Sequence, residues 1–157
     1  MLVAWVLAQA AVAPAATGLQ AQFEQATAAL VGEKWQDALA GFKAIEARPG
    51  ISDRTRSIVL LREASALRHL GQDEEALELY RRGLALAPKG DASLNDDRID
   101  ALTAVGGIER GSYDYAGARR HFQALLALAK DDIIRIRTLL ALASVTMFDD
   151  AKVALGY

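Results

Sequence analysis

From Leu19 onward the apolar residues recur at spacings of three and four, with almost no alternating apolar and polar runs and few β-branched clusters. This is the periodicity of amphipathic helices, and the abundance of Ala, Leu, Glu and Arg agrees with it. The pattern predicts helices over 19–31, 35–47, 53–70, 73–87, 96–110, 115–130, 132–146 and 149 to the end. Breaks fall where the backbone chemistry asks for them. Pro49-Gly50 and the stretch Pro88 to Gly90 stop helices, because proline lacks an amide donor and glycine accepts a left-handed backbone. Ser52 or Asp53, Asp73, Ser93 with Asp96, and Asp114 stand where an N-terminal cap is wanted, and Asp73-Glu74-Glu75 suits the positive end of a helix dipole.

The helices come in pairs, and the pairs are similar to one another. The clearest runs from Ser57 to Pro88 and carries Leu60, Ala64, Leu67, Gly71, Ala76, Tyr80, Gly83 and Pro88. These residue types at these offsets resemble the tetratricopeptide repeat (TPR), a helix-turn-helix unit of about 34 residues. The pattern has physical sense: Ala64 and Ala76 let two helices cross closely, Gly71 serves the turn, Tyr80 fills the space between units and Pro88 ends the second helix. In the first pair Ala26, Ala38 and Phe42 take the small, small and aromatic places, with Trp35 at the turn and Gly32 one residue early. In the third, Gly106, Ala118 and Phe122 do so, with Gly111 early and a longer turn through Ser112-Tyr113-Asp114. In a fourth, Leu139, Leu142, Ala151 and Leu155 fit loosely. The resemblance implies an all-α fold, TPR-like pairs stacked as a short right-handed α-solenoid, with units near 19–50, 53–90, 96–130 and 132–157. The last unit is expected to be incomplete: either the chain is the amino-terminal part of something longer, or its terminal helix is naturally short.

Charge divides the chain unevenly. All 18 basic and 20 acidic residues lie after Gly18. The uncharged opening has an apolar run, Leu2 to Val12, followed by the small residues Ala13-Pro14-Ala15, like the core and cleavage region of a secretory signal, although no Lys or Arg precedes it. A bacterial-type exported protein, periplasmic or secreted, is the expectation, with residues 1–18 as the signal-like segment. An uncleaved anchor, an apolar first helix of a cytoplasmic protein, and a start codon placed too far upstream are the alternatives. A bilayer span takes about 20 apolar residues, and Pro14, Thr17, Gly18 and Gln20 end this run early. The 52% apolar and 24% charged composition is that of a packed globular chain, not a disordered one. A formal charge of −2 argues against a nucleic-acid footprint. With no cysteine, disulfides, thiolate metal sites and a thiol nucleophile are excluded.

Chemistry-bearing clusters are sparse. His69 and His121 are 52 residues apart, each beside an arginine, and a zinc site without cysteine would need both plus carboxylates. The pairs Asp96-Asp97, Asp131-Asp132 and Asp149-Asp150 each fall at an expected helix start, where capping accounts for them. Gly106-Gly107 follows no strand, so it reads as close helix packing rather than a phosphate cradle. Arg81-Arg82 and Arg119-Arg120 read as exposed ion-pairing faces. No catalytic, metal or cofactor-binding residue is assigned, and no cofactor is expected.

In TPR arrays the first helices of successive units line a concave groove, so the resemblance places the partner surface there. The residues singled out are Arg62, Ser65, Arg68, His69, Arg110 and Arg137, with Phe23, Thr27, Asp100, Thr103, Gly107, Ile136 and Leu140 around them. The expected function is a non-enzymatic protein-interaction module taking a protein or extended peptide of acidic character. Neither nucleic acid nor membrane is an expected partner, the membrane entering only if the opening segment is uncleaved. The alternative is a recruiting or regulatory arm of a larger enzyme, such as a caspase-like peptidase, whose catalytic domain would lie outside this chain.

Overall fold

The computed structural model describes residues 14–155, with side chains over 18–150. Seven α-helices follow one another: α1 (Pro14–Val31), α2 (Trp35–Glu46), α3 (Asp53–His69), α4 (Asp73–Leu86), α5 (Asn95–Gly111), α6 (Tyr115–Leu128) and α7 (Asp132–Leu155), with a short 3-10 turn at Ala92–Leu94. No strand occurs among the described residues. The signal-like run Leu2 to Val12 lies outside them, and α1 begins at Pro14, so this helix crosses the expected boundary at Gly18.

Helices α1 with α2, α3 with α4, and α5 with α6 form three hairpins that stack in chain order, and α7 packs on α6. Three apolar clusters hold the stack. Ala26, Ala38, Phe42, Ile45, Val59 and Ala66 join the first hairpin to α3. Leu61, Ala64, Ala76, Tyr80, Ala101 and Val105 join the second to α5. Leu102, Ala118, Phe122, Leu125 and Val145 join the third to α7. The small residues lie at close approaches. A methyl group on Gly41 would sit 2.8 Å from Ala26 Cβ, and one on Gly106 would sit 2.5 Å from the Phe122 ring. Ser57, buried on α3, donates its hydroxyl to the Gly83 carbonyl of α4 at 2.8 Å.

The three hairpin turns share one geometry built from different residues. In each, an amide bonds the carbonyl five residues back: Lys34 to Ala29 at 2.9 Å, Gln72 to Leu67 at 3.0 Å and Asp114 to Glu109 at 2.8 Å. This is the Schellman closure, which needs one left-handed residue just past the helix. Gly71 supplies it at φ 77°, but Glu33 (58°) and Tyr113 (65°) supply it in the other two hairpins. Gly32 and Gly111, one residue early, are therefore not the turn-makers.

Capping follows expectation at Ser52, whose hydroxyl accepts the Thr55 amide at 3.1 Å, and at Asp114, which accepts the Gly117 amide at 2.8 Å. The expected break between 146 and 149 is absent: α7 runs unbroken through Asp149-Asp150. Asp149 is therefore no helix start. It pairs instead with Arg119 of α6.

Candidate partner groove

The first helices α1, α3 and α5 lie side by side, α3 touching both α1 and α5, and α7 joins α3 and α5 around a shared cavity. Between α3, α5 and α7 this face opens into a cavity of about 630 Å³, lined among others by Arg68, Asp100, Thr103, Gly107, Arg110 and Arg137. Its floor is apolar, from Ile99, Phe122, Leu125, Ile134 and Ala141. A Cβ on Gly107 would meet nothing within 4 Å, so this glycine opens onto the groove while its neighbour Gly106 faces Phe122. The close-packing role expected of the pair belongs to Gly106 alone. A second cavity of about 660 Å³, between α1 and α2, is lined chiefly by Ala and Gln and offers less to a charged ligand.

Of the six residues singled out from the sequence, Arg68, Arg110 and Arg137 come together around this cavity. Arg62 does not join them as a free cation. Its guanidinium donates to Asp97 Oδ1 at 3.0 Å and to Thr27 Oγ1 at 2.9 Å, and lies 5.0 Å over the Phe23 ring. It is a bracket tying α3 to α1 and α5, satisfied on three sides. Ser65 faces inward and, with Arg68, reaches the buried Tyr80 hydroxyl, which burial pushes above its ordinary pKa. His69 lies apart, its ring stacked on Trp35 at 3.9 Å and nearly parallel. Ile136 and Leu140 are exposed and are not among the groove-lining residues, where α7 contributes Ile134, Arg137, Thr138 and Ala141.

Electrostatics leave the groove basic. Three arginines face one carboxylate, Asp100, whose pKa is raised by burial first and by its neighbours Asp97 and Asp96 next. Elsewhere arginines pair away from their own helix: Arg81 with Glu109 at 2.8 Å, Arg82 with Glu46 at 3.1 Å, and Arg54 with Asp91, just before the 3-10 turn, at 2.9 Å.

Two buried carboxylates escaped the sequence reading. Glu109 accepts from Arg81 and, at 2.7 Å, from His121 Nδ1. Because the other atom near Nδ1 is the Gly117 carbonyl oxygen at 3.0 Å, also an acceptor, Nδ1 carries the proton. His121 thus closes a polar link from α6 through α5 to α4. Glu63 is 2% exposed, and its Oε2 has no hydrogen-bond partner among the described residues. Burial, reinforced by Glu46, pushes its pKa up to about 7 against the pull of Lys43 and Arg82. Both glutamates interrupt apolar stripes on first helices, which is the one sequence signal they give.

No group of histidines and carboxylates that could hold a metal ion occurs among the described residues. None of the described helices is long and apolar enough to cross a membrane.

No protein-family model and no curated protein matches the sequence. Solved structures do match the fold. The TPR domain of Arabidopsis OM64 superposes with a TM-score of 0.62 at 15% identity, covering 82% of this chain and 94% of that one. The TPR domain of Sgt2 from Aspergillus fumigatus gives 0.61 at 16% identity, covering 85% of this chain and 80% of that one. The chain is TPR-like, an all-α stack of helix pairs, as its repeat pattern implies.

Proposed function

We propose that this chain is a protein-interaction module whose groove between α3, α5 and α7 takes an extended, acidic peptide segment. The observation that carries the reading is the convergence of Arg68, Arg110 and Arg137 on one open cavity with a single opposing carboxylate. Arginine forks suit carboxylates in bidentate geometry, and an extended strand with alternating acidic and apolar side chains would place the latter on the Phe122 and Ile134 floor. Withdrawal of Arg62 into its bracket narrows the acidic-binding surface to the carboxyl-terminal half of the array.

Gly107 makes a clean test, because a side chain there meets open space and removes a helix-interior glycine that costs about 0.5–1 kcal/mol. Gly107→Glu is expected to fold while placing bulk and negative charge in the groove. Fluorescence anisotropy with a labelled peptide of alternating Asp and Leu should show at least a tenfold loss of affinity in this variant and in Arg110→Glu. Undiminished binding in both, or preference for the matching Lys-Leu peptide, contradicts the reading. Delivery of the module outside the cytoplasm is supported by the sequence of residues 2–15 alone, and mass spectrometry of the mature amino terminus tests it.

A further inference from the structure

The two buried glutamates are housed differently. Both oxygens of Glu109 are engaged, Oε1 by Arg81 and Oε2 by His121. Glu63 is equally deep, at 2% exposed, and its Oε2 meets no hydrogen-bond donor among the described residues. A buried polar atom without a partner costs stability, so its presence calls for a reason beyond packing. The surroundings supply one. Glu63 forms part of the wall of a cavity of about 460 Å³ between α2, α3 and α4, which shares no lining residue with the arginine groove.

Carboxylates dominate this cavity. Helix α4 adds Glu74, Glu75 and Glu78, all exposed, to the buried Glu63 of α3. The first two lie in the first turn of α4, where the helix dipole favours them, but Glu78 lies beyond it. Leu67 and Leu79 supply the apolar part of the wall, and Lys43 of α2 is the one cation among the described lining residues. Two further charges act on Glu63, Glu46 from α2 and Arg82 from α4, and these are paired with each other at 3.1 Å. Four carboxylates against one ammonium make the cavity acidic, the reverse of the groove.

We propose that this cavity binds a linear aliphatic diamine or polyamine, one ammonium seated on Glu63 and a second among Glu74, Glu75 and Glu78. The wall selects this class. Ammonium groups donate to carboxylates in charge-assisted hydrogen bonds, the methylenes between them suit Leu67 and Leu79, and more than one positive charge is needed to balance the carboxylates. A compact dication is disfavoured, because no group of side chains that could hold a metal ion occurs among the described residues. Glu63 Oε2 gains the donor it lacks. Without a bound cation, burial first and Glu46 next raise the pKa of Glu63 to about 7. An ammonium beside it draws that proton off, so binding strengthens as pH rises through about 7.

Calorimetric titration of the full chain with putrescine tests this, since both of its ammonium groups stay charged between pH 6 and pH 8. Binding should be about tenfold tighter at pH 8 than at pH 6. At pH 8 it should exceed that of n-butylamine, which carries one ammonium, and that of Mg²⁺, which carries the same charge, by about tenfold or more. Glu63→Gln should lose about tenfold at pH 8 together with the pH dependence, whereas Glu24→Gln, an equal change of charge on exposed α1, should alter neither. Lys43→Ala should bind more tightly, a gain that no folding defect produces. Equal binding of Mg²⁺ reduces the effect to diffuse charge and overturns the proposal. Equal binding of n-butylamine, the chemistry of a single lysine side chain, overturns the second ammonium seat. Unchanged binding in Glu63→Gln, weaker binding in Lys43→Ala, or no binding at millimolar putrescine overturns the site itself.

Discussion

Helices α3 and α7 occupy equivalent places in the array, yet Leu60 and Leu61 of α3 are 0% and 2% exposed while Leu139 and Leu140 of α7 are 50% and 66% exposed. The two helices present the same residue types to the same side. What differs is the neighbour on that side: α4 covers Leu61 of α3, whereas α6 packs on another face of α7 and leaves Leu139 and Leu140 exposed. An apolar stripe therefore specifies that a helix face is to be covered without specifying by what. The stability each stripe contributes to one chain, and the association it can drive between chains, are set by what arrives there.

The comparison can be broken most forcefully at the matched leucines. Leu60→Ala should cost about 2–4 kcal/mol in urea unfolding, the usual loss for a buried leucine. Leu139→Ala, at a half-exposed position, should cost less than about 1 kcal/mol. Equal costs would mean that α7 is covered after all.

Glu63 on α3 offers the next contrast, since the matching place on α7 is the apolar Leu142. A pKa raised from 4.5 to about 7 in the fold means that folding favours the protonated form. Its contribution is fully present below the unfolded pKa and is lost as pH rises through about 7. Glu63→Gln should therefore stabilise the chain by on the order of 2 kcal/mol at pH 8 and by little at pH 4. A constant gain across that range would place the effect elsewhere.

Adjacent glycines on α5 give a smaller pair of effects with opposite signs. Gly106→Ala pushes into the Phe122 ring and should cost about 1–3 kcal/mol, whereas Gly107→Ala should gain about 0.5–1 kcal/mol in thermal or urea unfolding. The turns provide the smallest test. Glu33→Gly relieves a left-handed non-glycine residue and should gain up to about 1 kcal/mol, and Gly71→Ala should lose a similar amount.

Much of this architecture is legible in the repeat pattern, and the exceptions have physical causes. Helix starts at Ser52 and Asp114 are marked by side chains that satisfy backbone donors locally, so a short window shows them. Asp149-Asp150 carries the same signature and misleads, because Asp149 finds Arg119, thirty residues away in sequence, and the helix continues. Gly32 and Gly111 suggest turns one residue early, because Glu33 and Tyr113 tolerate the left-handed backbone that Gly71 adopts without strain. The groove is half legible. Arg68, Arg110 and Arg137 follow from the repeat resemblance, which places first-helix residues on the groove, whereas the withdrawal of Arg62 depends on Asp97 and Thr27, each 35 residues distant. The loose fit of Leu139 and Leu142 to the repeat has a physical counterpart: Leu142 packs on the third cluster while Leu139 stays half exposed.

The central claim is that the face shared by α3, α5 and α7 is the binding surface, and amide-resolved nuclear magnetic resonance tests it most directly. During titration with the Asp-Leu peptide, shifts should concentrate at Thr103, Gly107, Arg110, Arg137 and Thr138 and leave Glu74, Glu78 and Arg120 of the second helices unmoved. Shifts confined to α4 and α6, or none at millimolar peptide, would contradict it.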